Sequence, residues 1–380
     1  MNQPVNQPAR QKVVVQLPGI AKASDIRSPE DGRSDRDPRG ARTRHEGAVD
    51  TRYSFEQEAL LSVAELVEVA ATSEEEFLAE ASDAQAIITS WGFRISRSVI
   101  AGLDECIVIG VGSVGVDMVD VEAATETGIV VTNVPDVFIE EVADHTMALL
   151  LAGARRMREM DSMVRGGDWF KGRPLLNEVP RLWGQTLGLV SFGNVARAVA
   201  RRARPFGMHV VAHDPYVSEL KMTGEGVEPV SFGELLERSD YLSMHPPLNR
   251  ETRHMLSDPQ FAAMKKTAVL INAGRGPTVD EAALIEALDT GQIAAAALDV
   301  LEREPPAADN PLLAMDNVIL TPHVASATTR MRPETRRRVG REVALALSGR
   351  WPMSCVNPTV LPRVELERWQ PVPMERGPNR

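Results

Sequence analysis

Cysteine is almost absent from the chain: Cys106 and Cys355 are the only two in 380 residues. Two thiols cannot build a disulfide scaffold or a cysteine-rich zinc module, and their scarcity fits a reducing compartment. Long apolar runs are missing too. The longest, Met147–Ala154, falls far short of the roughly 20 residues that a bilayer-spanning helix needs. The opening residues MNQPVNQPARQK lack the apolar core of a secretory signal. Basic residues are outnumbered, 42 against 53 acidic, for a net charge of −11. Such a chain is repelled by phosphate backbones and anionic lipid unless it carries a local basic patch, and it has no long basic run. Metal-ligand spacing is lacking as well. There is no H-E-x-x-H, and His209 and His213 on one expected strand would lie roughly 13 Å apart at about 3.3 Å per residue. These absences predict a soluble, cytoplasmic protein with no membrane, no nucleic-acid and no metal partner.

What the sequence does contain is material for two domains, on the usual size of roughly 100–200 residues each. Hydrophobic residues make up 43% and charged ones 25%, enough for sizeable cores. Short runs rich in Val, Ile and Leu stand at 12–17, 84–89, 106–111 and 129–134, each apolar on both faces. Strands of that kind are buried in a parallel sheet with helices on both sides. The alternation resumes at 186–190, 209–212, 241–244, 268–271, 295–300 and 318–320. Ser73-x-x-Glu76 reads as a capping box, and a helix over 119–127 closes on Gly128. The spacing predicts one long helix over 137–157, passing between domains, and another over 329–347. Residues 21–52 mix charges of both signs with Pro29 and Pro38 and carry few large apolar side chains. They read as a mobile insertion, and 364–380 as a loose tail.

The segment LGLVSFGNV, Leu187–Val195, reads as a strand, a turn and a helix start. A dinucleotide pyrophosphate can rest on helix N-terminal amides at such a turn. The usual G-x-G-x-x-G/A stands here as Ser191-x-Gly193-x-x-Ala196, without its first glycine. Asp214 ends the next strand, about 20 residues on, where a carboxylate accepts from ribose hydroxyls and repels a 2′-phosphate. NAD is expected over NADP.

From about Gln85 to Pro358 the chain resembles the D-isomer-specific 2-hydroxyacid dehydrogenases, and within them the branch of C-terminal-binding-protein dehydrogenase-like proteins. The residues carrying this are GVDMVDVEAATETGIVVTNVPD (115–136), EEVADHTMALLLA (140–152), GQTLGLVSFGNVARAVARRARPFGMHVVAHDPYV (184–217), INAGRGPTVDEAAL (271–284), ALDVLEREPP (297–306) and LTPHVAS (320–326).

The resemblance implies two doubly wound, Rossmann-like α/β domains with the active site in the cleft. The substrate domain would be discontinuous, 11–138 completed by 323–358, and the NAD-binding domain would span 139–322. It implies an NAD-dependent oxidoreductase acting on a small 2-hydroxy or 2-keto acid of the hydroxypyruvate, glyoxylate or phosphoglycerate type. The catalytic set falls on Arg275, Glu304 and His323. Cofactor contacts fall on Phe192, Gly193, Asn194, Val195, Asp214, Pro246, Thr252, Ala273 and Asp299, the last as acceptor for the nicotinamide amide. The substrate loop offers the amides of Val114 and Gly115. A homodimer is implied, and the rival reading is an NAD(H)-sensing, corepressor-like scaffold. The chain departs from the family at Val111, often Arg, which predicts a roomier apolar pocket. It departs again at Ser113, often Gly, at Pro277, often Gly, and at Ser191.

Overall fold

The computed structural model describes residues 11–16, 54–60, 62–90, 92–177 and 179–368; the expected insertion at 21–52 lies outside them. The chain divides into two compact units, Met1–Val137 with Arg330–Arg380, and Phe138–Thr329. The second crossing thus falls after Thr329, not before His323 as the sequence suggested. The cause is local: the loop carrying His323 is tied to its own unit by hydrogen bonds from Val324 N and Ala325 N to Asp299.

The discontinuous unit is built on β1 (Gln11–Gln16), β2 (Ala64–Val69), β3 (Ala86–Thr89), β4 (Val108–Val111) and β5 (Val130–Thr132). They form one sheet in the order β2-β1-β3-β4-β5, all parallel. Successive side chains on a strand face opposite sides. Val14, Ile87, Ile109, Val111 and Val131 therefore share one face, where they pack with Phe77, Val99 and Ala123 from three helices. On the other face Gly110 lets the helix Met331–Leu347 approach: a Cβ there would stand 2.6 Å from Val343 Cγ2 and 2.9 Å from Val339 Cγ2. Ser73 caps the helix Glu74–Ala81 by accepting from Glu76 N, and Thr72 N donates to Glu76 Oε2 at 2.9 Å. The tail is attached well past Val364. Trp351 N donates to Glu367 O, Glu367 N donates to Gly349 O, and Arg368 stacks 3.9 Å over the Trp351 ring.

The continuous unit carries β6 (Thr186–Val190), β7 (His209–His213), β8 (Glu228–Pro229), β9 (Tyr241–Met244), β10 (Val269–Asn272), β11 (Ala295–Leu298) and β12 (Val318–Leu320). The order is β12-β11-β10-β9-β6-β7-β8, every pairing parallel. The chain runs outward from β6 to β8, returns beside β6 as β9, and then runs outward the other way. The strand ends at β6 and β9 are therefore the switch point where doubly wound sheets receive ligands. Leu187, Leu189, Ile271 and Ala297 point into one apolar layer, and Val190, Leu270, Ala296 and Leu298 into the other. The long helix expected over 137–157 is Ile139–Ala154. It packs on β10, β11 and the helix Asn194–Ala203 of its own unit, so it belongs to this core. Left-handed Arg156, φ 50°, breaks it from the next helix, Met157–Arg165. Among the described residues no helix is long and apolar enough to cross a membrane.

Candidate active site

Strand β6 delivers the chain to the turn Ser191–Gly193. Ser191 takes φ 72°, a left-handed conformation that costs a residue with a Cβ about 1–2 kcal/mol. The glycine missing from the motif is thus missing where its freedom is used. Gly193 is the N-cap of the helix Asn194–Ala203 and makes no side-chain cap bond. The first amides of a helix have no intrahelical acceptor, and those of Asn194 and Val195 meet none among the described residues. The Phe192 ring is buried in the core, 1% exposed, so only its backbone can serve the turn. Its amide donates to Asp214 Oδ2 at 2.8 Å, and Ser191 Oγ donates to the same oxygen at 3.0 Å. An uncapped helix end beside a fixed carboxylate fits a pyrophosphate followed by a ribose diol, the two ends of NAD's adenosine half.

The neighbouring strand ends complete the rim. After β9, His245 N bonds Val190 O and its Nε2 lies 2.9 Å from Ser243 Oγ. Desolvation holds this imidazole neutral, its pKa pushed down to about 4. Pro246 is buried, and Thr252 closes the loop beyond it through Oγ1 to Pro247 O, 2.6 Å. After β10, buried Ala273 leads to Arg275, whose backbone carbonyl is held by Asn272 Nδ2 at 3.0 Å and Thr278 Oγ1 at 2.7 Å. Gly276 is obligatory: a Cβ there would lie 1.8 Å from Leu301 O. That approach sets the Arg275 loop against the segment leading to Glu304.

His323 Nδ1 lies 2.6 Å from Glu304 Oε2, and Leu301 N holds Glu304 Oε1 at 3.0 Å. With Nδ1–H donating to the carboxylate, Nε2 is left to carry or accept a proton. The Glu304 hydrogen bond raises the His323 pKa above its usual 6.5, against desolvation and the opposing charge of Arg275. Burial pushes the Glu304 carboxyl up, but the bonds from His323 and Leu301 N outweigh it, and the net shift is down from 4.5. Glu304 and His323 are brought together from separate strand ends, with Arg275 near enough for its charge to act on His323.

The Asp299 side chain is fully buried. Its Oδ1 accepts from Thr321 Oγ1 at 2.5 Å and Val324 N at 3.0 Å, and Oδ2 accepts from Ala325 N at 2.9 Å. Those bonds shape the loop that holds His323 at φ 52°. Val111 is 1% exposed and part of the core of the other unit, so it presents no apolar wall to a ligand and opens no roomier pocket. In that unit's loop, Ser113 Oγ donates to Gly115 O at 2.6 Å and Asn133 Nδ2 to Val114 O at 2.6 Å. The carbonyls are pinned, while the amides of Val114 and Gly115 meet no acceptor among the described residues.

Sequence reading passed over His145, although it sits inside a quoted motif. Its Nε2 lies 3.0 Å from Thr321 Oγ1. Thr321 has one hydroxyl proton, and the short bond to Asp299 uses it, so His145 must donate through Nε2–H. A chain of donors thus runs from the helix Ile139–Ala154 to the His323 loop. His145→Leu is expected to lower kcat about 10-fold, the loss of one part-buried hydrogen bond, with NADH affinity unchanged. His145→Gln, which can still donate, should recover most of it. Equal losses in both variants would exclude the donor role.

A doubly wound sheet with an uncapped helix at its switch point and a fixed carboxylate on the next strand is an arrangement that suits a dinucleotide. Residues 147–325 match the family described as D-isomer specific 2-hydroxyacid dehydrogenase, NAD binding domain. The glyoxylate reductase of Korarchaeum cryptofilum is 40% identical over 280 residues, 73% of this chain and 84% of the relative. D-3-phosphoglycerate dehydrogenase of Methanocaldococcus jannaschii is 40% identical over 311 residues, 80% of this chain but only 58% of the relative. The chain therefore spans little more than half of that longer protein. The solved NADPH-dependent glyoxylate/hydroxypyruvate reductase of Sinorhizobium meliloti, in complex with NADP and malonate, superposes with a TM-score of 0.74 at 30% identity. It covers 94% of this chain and 100% of that one. The chain belongs to the D-isomer specific 2-hydroxyacid dehydrogenases. These relatives do not single out the C-terminal-binding-protein branch.

Proposed function

We propose that the protein transfers a hydride reversibly between NAD and a small 2-hydroxy or 2-keto acid of the glyoxylate, hydroxypyruvate or phosphoglycerate type. The observation that carries the reading is the 2.6 Å contact of His323 Nδ1 with Glu304 Oε2. A protein that only senses NAD(H) needs the dinucleotide turn but no acid/base pair, so the sensing scaffold is the weaker reading. In oxidation, His323 Nε2 takes the 2-hydroxyl proton as the carbonyl forms; in reduction it returns that proton to the new alkoxide. Bound NAD supplies the nicotinamide that accepts the hydride leaving carbon 2. Glu304 keeps the imidazole in one tautomer and stabilises its cation. Arg275 holds the substrate carboxylate through its planar fork. Asn194, Val195 and Asp214 hold the adenosine half of NAD, with Phe192 contributing its backbone.

The test is a panel of 2-keto acids with NADH, following loss of its absorbance; no turnover of any member would sink the proposal. The pH dependence has a defined sign. Reduction needs protonated His323 and ionised Glu304, so it should hold on a plateau bounded below 4.5 and above 6.5, the ordinary values from which these groups are shifted outward. Oxidation needs neutral His323 and should rise through the alkaline limb where reduction falls. The stability linked to the pair follows the same window. The His323 part is whole below 6.5 and lost as pH rises through its raised pKa. The Glu304 part is present above 4.5 and lost as pH falls through its lowered one. Parallel profiles for the two directions would remove His323 as the acid/base.

The protein is further proposed to act as a homodimer in the cytoplasm. Support for the dimer is the segment 157–183, where Trp169, Phe170 and Trp183 are 70%, 89% and 65% exposed, an unusual cost in water unless covered. Sedimentation at micromolar concentration should give twice 41.5 kDa; a lone 41.5 kDa species refutes it. Free Cys106 and Cys355 accord with a reducing compartment.

A further inference from the structure

Ser191 occupies a backbone position that glycine would fill without strain, and its side chain is fully employed there. The hydroxyl donates its single proton to Asp214 Oδ2 at 3.0 Å. Phe192 N shares that oxygen at 2.8 Å, and Tyr216 N holds Oδ1 at 2.8 Å. Three donors on two oxygens fix both the plane and the direction of the carboxylate. Of the three, Ser191 supplies the only side-chain donor, so it is the one that substitution can remove while every amide stays. Ser191 N is itself anchored on His213 O, 2.8 Å away, one residue before Asp214. The turn and the carboxylate are therefore tied at two points.

We propose that Ser191 is a cofactor-specificity residue: its hydroxyl locks the Asp214 carboxylate in place, so that a ribose diol finds a preset acceptor and a 2′-phosphate meets a charge that cannot swing aside. The proposal rests on the NAD reading above. A carboxylate held by amides alone keeps its average place but gains freedom about its side-chain torsions. That freedom lets it retreat from a phosphate and costs more order when it accepts from a diol. Removing the hydroxyl therefore weakens NAD binding and strengthens NADP binding together. The left-handed backbone needs no hydroxyl, which separates the two properties of the residue. Glycine and alanine both lose the bond, but only alanine keeps the strain.

The experiment titrates NAD and NADP by calorimetry into the full-length wild type, Ser191→Gly and Ser191→Ala, alongside thermal melts of each. The wild type should prefer NAD. Both variants should lose about 3–10-fold of that preference, the worth of one hydrogen bond, and by similar factors, although the glycine variant melts higher than the alanine variant. In an Asp214→Ala background, Ser191→Gly should change the preference no further. If both variants keep the wild-type ratio, or only alanine changes it in step with its melting temperature, the residue is structural and the proposal is overturned. A wild type that binds neither dinucleotide overturns the NAD reading itself.

Discussion

Replacing His323 by alanine should lower turnover about 10²–10⁴-fold while leaving NADH binding nearly intact. The loss follows from the geometry. Glu304 fixes Nδ1 at 2.6 Å, so the imidazole is the only group of the pair that can exchange a proton with substrate through Nε2. Without it the alkoxide must take its proton from water. The substitution acts at a left-handed residue, φ 52°, where a folding defect could imitate lost chemistry. His323→Asn separates the two, because asparagine tolerates that backbone conformation but cannot serve as the base. The loop should persist in both variants, since Asp299 holds it through Val324 N and Ala325 N rather than through the imidazole. Steady-state reduction of the best 2-keto acid, with NADH affinity by fluorescence, reads the result. Wild-type turnover in the asparagine variant would exclude His323 from the reaction.

Loss of Arg275 should have the next largest effect. A guanidinium bonded to a carboxylate contributes about 1.5–3 kcal/mol, so Arg275→Ala should raise KM for the keto acid about 10–100-fold. Arg275→Lys should recover little of it, because an ammonium lacks the bidentate fork. The backbone of the loop is secured independently by Asn272 and Thr278, which keeps the variant folded. A second readout follows from electrostatics. The Arg275 charge opposes protonation of His323, so its removal should shift the alkaline limb of the reduction profile upward. A lysine variant with full activity, or an alanine variant with unchanged KM, would end the anchoring role.

Much of the architecture was legible in the sequence because the signals for it are local. The runs VVV, AIIT, VIGV and VLIN are apolar on both faces, and such runs become strands only inside a covered parallel sheet. The Ser191–Gly193 turn and the carboxylate at Asp214 are separated by one helix and one strand, a distance fixed by chain geometry. Two of the four edge strands, β2 and β8, escaped notice for the same reason. β2 mixes Glu65 and Glu68 into its apolar positions, and β8 is a two-residue strand ending in Pro229. Pattern reading also ran the helix of 139–154 past Ala154, since nothing in its periodicity marks the left-handed turn at Arg156.

Other features of the site were decided by tertiary structure. Sequence brought Asp299 to a strand end but not the direction of its carboxylate; the parallel pairing of β11 with β12 places the 321–325 loop above it and turns it inward. Val111 reads as a gap left by a missing arginine, yet its alternation along β4 sends the side chain into the core. His145 lies 176 positions from Thr321, and only the packing of its helix against the sheet makes them neighbours. Periodicity and turn chemistry act between residues a few positions apart, so the sequence alone determined most of the elements, their order and the Ser191–Gly193 turn. Which polar groups meet across strand ends depends on sheet order and helix docking, so the direction of Asp299, the burial of Val111 and the link from His145 to the His323 loop were settled only when the chain had folded.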